Sequence, residues 1–566
     1  MANWLSLSVK NVIIKINDSE IVLPVIQRRL VWTEDKMEEL FDSLLKGNSF
    51  GSVICIEEEK ASKPLFAFRY FTRDGNNVDS TEVDELSKTQ WFIIDGQQRL
   101  QSFYIGLEGK YNGKRMFFDM YSGYSGEDYD FKFAVKTVDL PKTNKERPNG
   151  VMSDCLWYPV DALFVQLTET NDDDQVAEEI IKKNTIEDGI KIKYIRKNVR
   201  AFYRGVFMDE SIGISKVSIN KREDSLENRQ RIVELFRRLN DGGTKLSSYD
   251  LVASVLKGFD YKMEYFLDTI VSKNSNIGIG QDELIKLIFI LDDKPSKEMS
   301  GLTAEDANFA TSQRERIQAT LDALQKFLNA TSHLSWFSSA KNRSAIPLYF
   351  LAYHIFYSKI ETGKLNNMFE RFDTSDKNCH DMAVWLRLSL LNKVFSRGCG
   401  WVPYKTGIKK IHTVMQKHKG LSFPTKAILD TYKLHPLHSF NDVIAEDKLD
   451  LFDREYVLFL LYNGHPSIRD EDVDHIHPRS LLENRGVDVS KINSITNFQL
   501  LDSGTNRGAK NGKELRVWIE NDVVNRKDYL KRHLIPQDTQ LWETDNFENF
   551  LVERSKLLAE KIREFL

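Results

Sequence analysis

Near the C-terminal end of the 566-residue chain, the stretch "DVDHIHPRSLL" sets Asp474 beside His475, with Pro478 just beyond. A carboxylate next to an imidazole is either a metal ligand beside a general base or the polar edge of a loop. Downstream, Asn497 stands in "ITNFQLLD" and Asn506 in "TNRGAK", with Arg507 and Lys510. These residue types suit phosphodiester hydrolysis. His475 as a neutral imidazole can take a proton from water near neutral pH, because its ordinary pKa is about 6.5. Asp474 and Asn506 offer hard oxygen ligands suited to Mg2+ or Mn2+, which offset charge on a phosphate and its leaving oxygen. Asn497 can hold the imidazole by a side-chain hydrogen bond and so fix its tautomer.

A second set lies near the N-terminus, in "IVLPVIQRRLVW" (21–32) and "WFIIDGQQRLQSFYIGL" (91–107). The latter reads as a strand, a tight turn at Gly96 and a helix, so the backbone N–H groups after Asp95 sit at a helix N-terminus, a favourable place for phosphate. Arg99 adds a bidentate donor, Asp95 a carboxylate that can position metal or water, and Gln97 and Gln98 neutral hydrogen-bonding groups. Gln27 and Arg28 can approach the same anion. Taken alone, a DG turn before an amphipathic helix is most often structural. No Walker A sequence occurs, which excludes a P-loop mechanism.

The elements that must position these residues follow from the apolar patterning. Residues 1 to about 140 mix β-branched runs ("NVIIKI", "SVICIEE", "WFIID"), read as strands, with the helix-like "TEDKMEELFDSLLKG", for which Thr33 is a plain N-cap and Gly47 the C-cap. From about 160 to 260 the pattern is mainly helical. There "NRQRIVELFRRLNDGGTKLSSYDLVASVLKG" reads as helix, glycine turn, helix, with Ser247 and Asp250 as a capping box. Residues 265–440 look helical almost throughout, and the aromatic-rich "LYFLAYHIFY" reads as core. Around Asp474 and Asn497 the expectation is two short strands, with Pro478 ending the ladder and "NRGAKNGKELRVWI" leading into a helix that brings Asn506 to the same site.

The bulk composition is that of a multi-domain globular protein: 41% hydrophobic and 29% charged residues, with a net charge of -4. No run of about 18 apolar residues offers a membrane span, and no signal-like block opens the chain, so a cytoplasmic protein is expected. Cys55, Cys155, Cys379 and Cys399 form no CxxC pair and are expected as buried thiols rather than a zinc or disulfide framework. Lys405, Lys409, Lys410, Lys417, His418 and Lys419 cluster near Trp401 and Tyr404 and can track a phosphate backbone, although a solvated helix face is the simpler reading.

Asp474-His475-Ile476 with Pro478, then Asn497, then Asn506-Arg507-Gly508 with Lys510 resemble the HNH (His-Me finger, ββα-metal) nuclease motif, including its form in RNA-guided nucleases. The resemblance implies that His475 is the general base, Asp474 and Asn506 the metal ligands, Asn497 the histidine-orienting residue and Lys510 a neighbour of substrate phosphate, with Arg507 beside it on DNA. His477 matches no essential position and is expected as a variable polar residue. "LPVIQRRLVW", "IDGQQRL" and "FRRLNDGGTKLSSYDL", in that order, resemble the DGQQR-domain family related to the ParB and sulfiredoxin folds, which implies nucleotide binding with NTP hydrolysis at Asp95 and its neighbours. The joint arrangement resembles GmrSD-type type IV restriction enzymes and related phage-defence nucleases, in which nucleotide controls a DNA nuclease often directed at modified phage DNA.

The expectation is therefore an α+β, multi-domain chain: a ParB/sulfiredoxin-like nucleotide-binding domain over 1–260, a helical DNA-contact region over 261–444 and an HNH domain over 445–566. Its expected activity is that of an NTP-regulated DNA endonuclease using Mg2+ or Mn2+, with ATP, GTP or CTP equally open, and a homodimer would serve to cut both strands. The rival readings are a nucleotide-dependent DNA-binding switch with a non-catalytic HNH fold, and a toxin-like nuclease acting on host DNA or RNA.

Overall fold

The computed structural model describes residues 3–28, 30–48, 51–75, 78–123, 130–136, 155–219, 225–240, 248–294, 304–338, 343–370, 376–396, 407–434, 439–462 and 471–566. The chain is α+β and divides into two compact units, Met1–Leu267 with Leu302–Thr311, and Asp268–Gly301 with Ser312–Leu566. The helical middle thus falls in the same unit as the last 120 or so residues.

The first unit carries β1 (Asn3–Leu7), β2 (Ile21–Pro24), β3 (Val53–Glu58), β4 (Phe68–Arg69), β5 (Gln90–Asp95), β6 (Arg115–Asp119), β7 (Phe133–Lys136), β8 (Trp157–Pro159) and β9 (Ile212–Val217). Six of them form one mixed sheet in the order β1-β9-β3-β5-β2-β4, and β7-β6-β8 form a small antiparallel sheet. Strand β5 is central. Its side chains alternate between two cores: Trp91 and Ile93 join one cluster with Ile21, Val53 and Ile214, while Phe92 and Ile94 join another with Val22, Ile56 and Phe236. Burial on both faces explains why "WFII" is a continuous apolar run rather than an alternating one.

Two expectations for this unit are corrected. "NVIIKI" is not a strand but part of the helix Val9–Asn17, because Val9, Val12, Ile13 and Ile16 fall on one buried stripe and the Ser8 side chain accepts a hydrogen bond from the Asn11 N–H. The helical stretch from 160 to 260 is interrupted by β9, which returns to pair with β1 and β3. The helix Glu34–Leu45 does begin at an N-cap Thr33 without a side-chain bond, and Gly47 stands just past its end. The helices Ser225–Asn240 and Ser248–Phe259 match the helix-turn-helix reading, whereas its glycine turn and the Ser247 capping box lie outside the described residues.

In the second unit, helices such as Gln281–Leu291, Arg314–Ala330, Ile346–Phe356 and Lys377–Leu391 precede a hairpin of β10 (Glu471–His475) and β11 (Phe498–Asp502). The aromatic-rich helix Ile346–Phe356 is buried along much of its length, as expected. The hairpin is antiparallel, with Asp474 opposite Gln499 and His475 opposite Phe498. A π-helical turn, Thr505–Lys510, follows, and the helix Phe547–Arg563 closes the chain over a core of Ile476, Leu482, Ile492, Leu501, Trp518 and Phe550. Cys55, Cys155 and Cys379 are buried, as expected, and Cys399 lies outside the described residues. No helix among the described residues is long and apolar enough to cross a membrane.

Candidate functional site

The C-terminal site is built on the hairpin. Asp474 and His475 are the last two residues of β10, so their side chains leave opposite faces of the strand. The His475 ring packs at 4.6 Å on Phe498, and its Nε2 lies 3.1 Å from Asn493 Oδ1, which makes Nε2 the protonated nitrogen. Burial pushes the His475 pKa below its ordinary value, against smaller opposing effects of the Asn493 bond and Asp474. The imidazole is therefore neutral near pH 7, the form a general base requires.

Asp474 accepts hydrogen bonds from Gln499 Nε2 at 2.7 Å and Lys510 Nζ at 2.6 Å, both on Oδ2. Among the described residues, none reaches Oδ1. Asn506 donates from Nδ2 to Asp472 at 3.4 Å, its amide oxygen has no hydrogen-bond partner among the described residues, and Arg507 forks onto Asp472 at 2.9 and 3.2 Å. The π-helical turn thus brings Asn506, Arg507 and Lys510 back over β10.

Three expected roles change. Asn497 does not touch the imidazole: it is fully buried and its amide bonds the backbone of His477 and Ile492, so it holds the bend after β10 while Asn493 holds the ring. Lys510 is 1% exposed and donates to Asp474 and the His475 carbonyl, so it cannot present its charge to DNA from this position. His477, expected as a variable polar residue, is fully buried. It is packed against Phe547 and Phe550, and burial lowers its pKa to about 3.

The N-terminal site is the corner from β5 into the helix Gln97–Glu108. Gly96 occupies φ +95°, and a Cβ there would meet Val53 at 2.9 Å, so both conformation and space demand glycine. Arg99 donates to the Ser52 carbonyl at 2.9 Å and lies 3.3 Å from Asp95. Burial lowers the Arg99 pKa, although a guanidinium stays protonated. Gly51 stands against this arginine, where a Cβ would meet Nη1 at 2.5 Å.

The glutamines act differently from the expectation. Gln27 donates to the Ile93 and Ile94 carbonyls at 2.9 and 2.6 Å, Gln97 donates to the Arg28 carbonyl at 2.7 Å, and Gln98 accepts from the Val31 and Trp32 N–H groups. These amides staple the segment after β2 onto the DGQQR corner, because a buried backbone must find partners. Arg28 is 3.8 Å from Asp250. Asp95, Gly96, Arg99 and Arg28 are left as the groups able to meet a ligand.

Sequence reasoning missed Asn493, which no local signal separates from Asn497, and Arg69. The latter is buried, pairs with Glu264 at 2.8 Å and donates to the Gln27 and Arg28 carbonyls.

The chain is 24% identical over 615 residues, covering 98% of itself and 97% of the relative, to the uncharacterized protein MJ0686 of Methanocaldococcus jannaschii. Residues 9–257 match the family model described as GmrSD restriction endonuclease, N-terminal domain, so this region, which carries the DGQQR corner, is similar to the N-terminal domain of a restriction endonuclease.

Proposed function

We propose that the protein is an NTP-regulated, metal-dependent DNA endonuclease that restricts foreign DNA, modified phage DNA above all, acting in the cytoplasm as a homodimer. The observation that carries the nuclease part is the imidazole of His475, held by Asn493 at the end of β10, beside Asp474 and below the turn that returns Asn506. The similarity of residues 9–257 to a restriction-endonuclease domain supports the choice of DNA as substrate.

Among the described residues, no group of three His, Cys, Asp or Glu side chains could hold a metal by itself. The donor set of Asp474 Oδ1 and the Asn506 amide oxygen is sparse, which fits Mg2+ or Mn2+ filling its shell with water and phosphate oxygens. When bound, such an ion offsets charge on the phosphate and the leaving oxygen. His475 takes the proton from the attacking water at Nδ1, the nitrogen not bonded to Asn493. Asn493 keeps that tautomer, and Lys510 orients Asp474. At the other site, the Gly96 backbone, Arg99 and Arg28 bind the phosphates of an NTP, and Asp95 positions the hydrolytic water.

The ion pair between Lys510 and Asp474 favours one alternative, a DNA-binding switch without chemistry, because an ammonium already neutralises one carboxylate oxygen. The test is plasmid DNA incubated with wild type and His475→Ala, with Mg2+, Mn2+ or EDTA, and with ATP, GTP or CTP. Metal-dependent cutting by wild type alone supports the endonuclease, and binding without cutting supports the switch.

A further inference from the structure

We infer that Arg454 is a substrate-binding residue of the nuclease site, holding a phosphate of the DNA strand cut by the water that His475 deprotonates; this rests on the nuclease reading above. Arg454 is the first residue of the helix Arg454–Leu461, whose N-cap Asp453 accepts from the Tyr456 N–H. Its guanidinium carbon lies 4.6 Å over the Phe498 ring, and the His475 ring centroid lies 4.6 Å from that same ring. Arginine and imidazole are therefore no farther apart than about twice that distance, close enough for both to face one short stretch of strand.

Two cations on the turn beside β10 are already committed. Lys510 is buried on Asp474, and Arg507 is forked onto Asp472. Arg454 is exposed and, among the described residues, has no carboxylate or hydrogen-bond partner, only the aromatic face. Stacking on Phe498 holds the planar fork in place while leaving its N–H donors in solvent, the arrangement that suits bidentate phosphate binding.

Arg454 also lines a cleft of about 950 Å3 whose wall includes Asn493, the residue on His475 Nε2, and Lys393. Carboxylates line it too, but most are spent inside the protein. Asp450 accepts from the Ser494 hydroxyl and the Ile495 N–H, Asp453 caps its helix, and Glu455 pairs with Arg343 at 2.6 Å. The cleft thus reaches Asn493, the residue that holds the general base, and carries the Arg454 guanidinium on its wall.

The experiment uses the full chain with Arg454→Ala and Arg454→Lys, each also in the His475→Ala background. Binding of a short fluorescein-labelled duplex is measured against salt in the inactive background, and cutting of supercoiled plasmid in the active one. Arg454→Ala should cut at least about tenfold more slowly and lower the slope of log affinity against log salt by about 0.7 to 0.9, one phosphate contact. Arg454→Lys should restore the slope but only part of the cutting, since it keeps the charge without the fork. An unchanged thermal midpoint shows that both variants fold. Wild-type slope and cutting in Arg454→Ala, with His475→Ala inactive, overturns the inference and leaves the nuclease reading standing. If His475→Ala cuts like wild type, the nuclease reading fails and the inference with it.

Discussion

Lys510 Nζ lies 2.6 Å from Asp474 Oδ2 and equally close to the His475 carbonyl oxygen, so one buried ammonium ties the carboxylate to the backbone of the residue beside it. The two side chains are 2% and 11% exposed. A charge so enclosed is tolerable only when paired, and burial accordingly lowers the Lys510 pKa while Asp474 opposes that shift. Lys510→Met should cost about 3–5 kcal/mol, because it strands the Asp474 carboxylate. Urea unfolding checks this, and an unchanged midpoint would mean the pair contributes nothing.

The two asparagines of "KINSITN" should separate by assay. Asn493→Ala removes the bond to His475 Nε2 and leaves the fold alone, so plasmid cutting should slow about 10- to 100-fold with little change in unfolding midpoint. Asn497→Ala removes three bonds to buried backbone and should destabilise by about 1–3 kcal/mol per group left unpaired. Equal effects of the two variants on both measurements would refute the division of roles.

Asn506→Ala should raise the Mn2+ concentration needed for cutting or abolish activity, since it removes one of two open oxygen donors. A metal titration superimposable on wild type would exclude Asn506 as a ligand.

At the DGQQR corner, Asp95→Ala and Arg99→Ala should weaken nucleotide binding or turnover by about 10- to 100-fold, the equivalent of about 1.5–3 kcal/mol for a charge-assisted contact. Plasmid cutting should then lose its response to added nucleotide, because a ligand shifts an equilibrium only through differential binding. Normal NTP turnover in both variants would remove the nucleotide site from this corner.

Glu58, buried at the end of β3, accepts only the Leu65 N–H among the described residues, and burial raises its pKa from 4.5 to about 7. The folded state therefore keeps a proton that the unfolded chain loses. The stability this contributes is fully present below about pH 4.5 and is lost as pH rises through about 7. Glu58→Gln, which cannot ionise, should gain about 3 kcal/mol over wild type at pH 8 and nothing at pH 4. Parallel pH profiles for the two proteins would show that Glu58 titrates normally.

By itself the sequence determined the chemistry-bearing types and their neighbours: Asp474 beside His475, strand and turn at "WFIIDG", the hairpin partner "FQLLD". Those are local facts, set by side-chain chemistry, by φ at Gly96 and by apolar runs, and they survive into the structure. Tertiary structure decided which of several similar groups does what. Asn493 and Asn497 are four residues apart, and only the bend after β10 turns one to the imidazole and the other to the backbone. Lys510 reads as a neighbour of substrate phosphate until the π-helical turn folds it under β10. The amides of Gln27, Gln97 and Gln98 suit an anion or a backbone equally well, and the choice fell to the carbonyls and N–H groups that packing left without partners. The strand β9 and the helix Val9–Asn17 were hidden for the same reason: a β-branched run is a strand or a buried helix stripe depending on what it packs against.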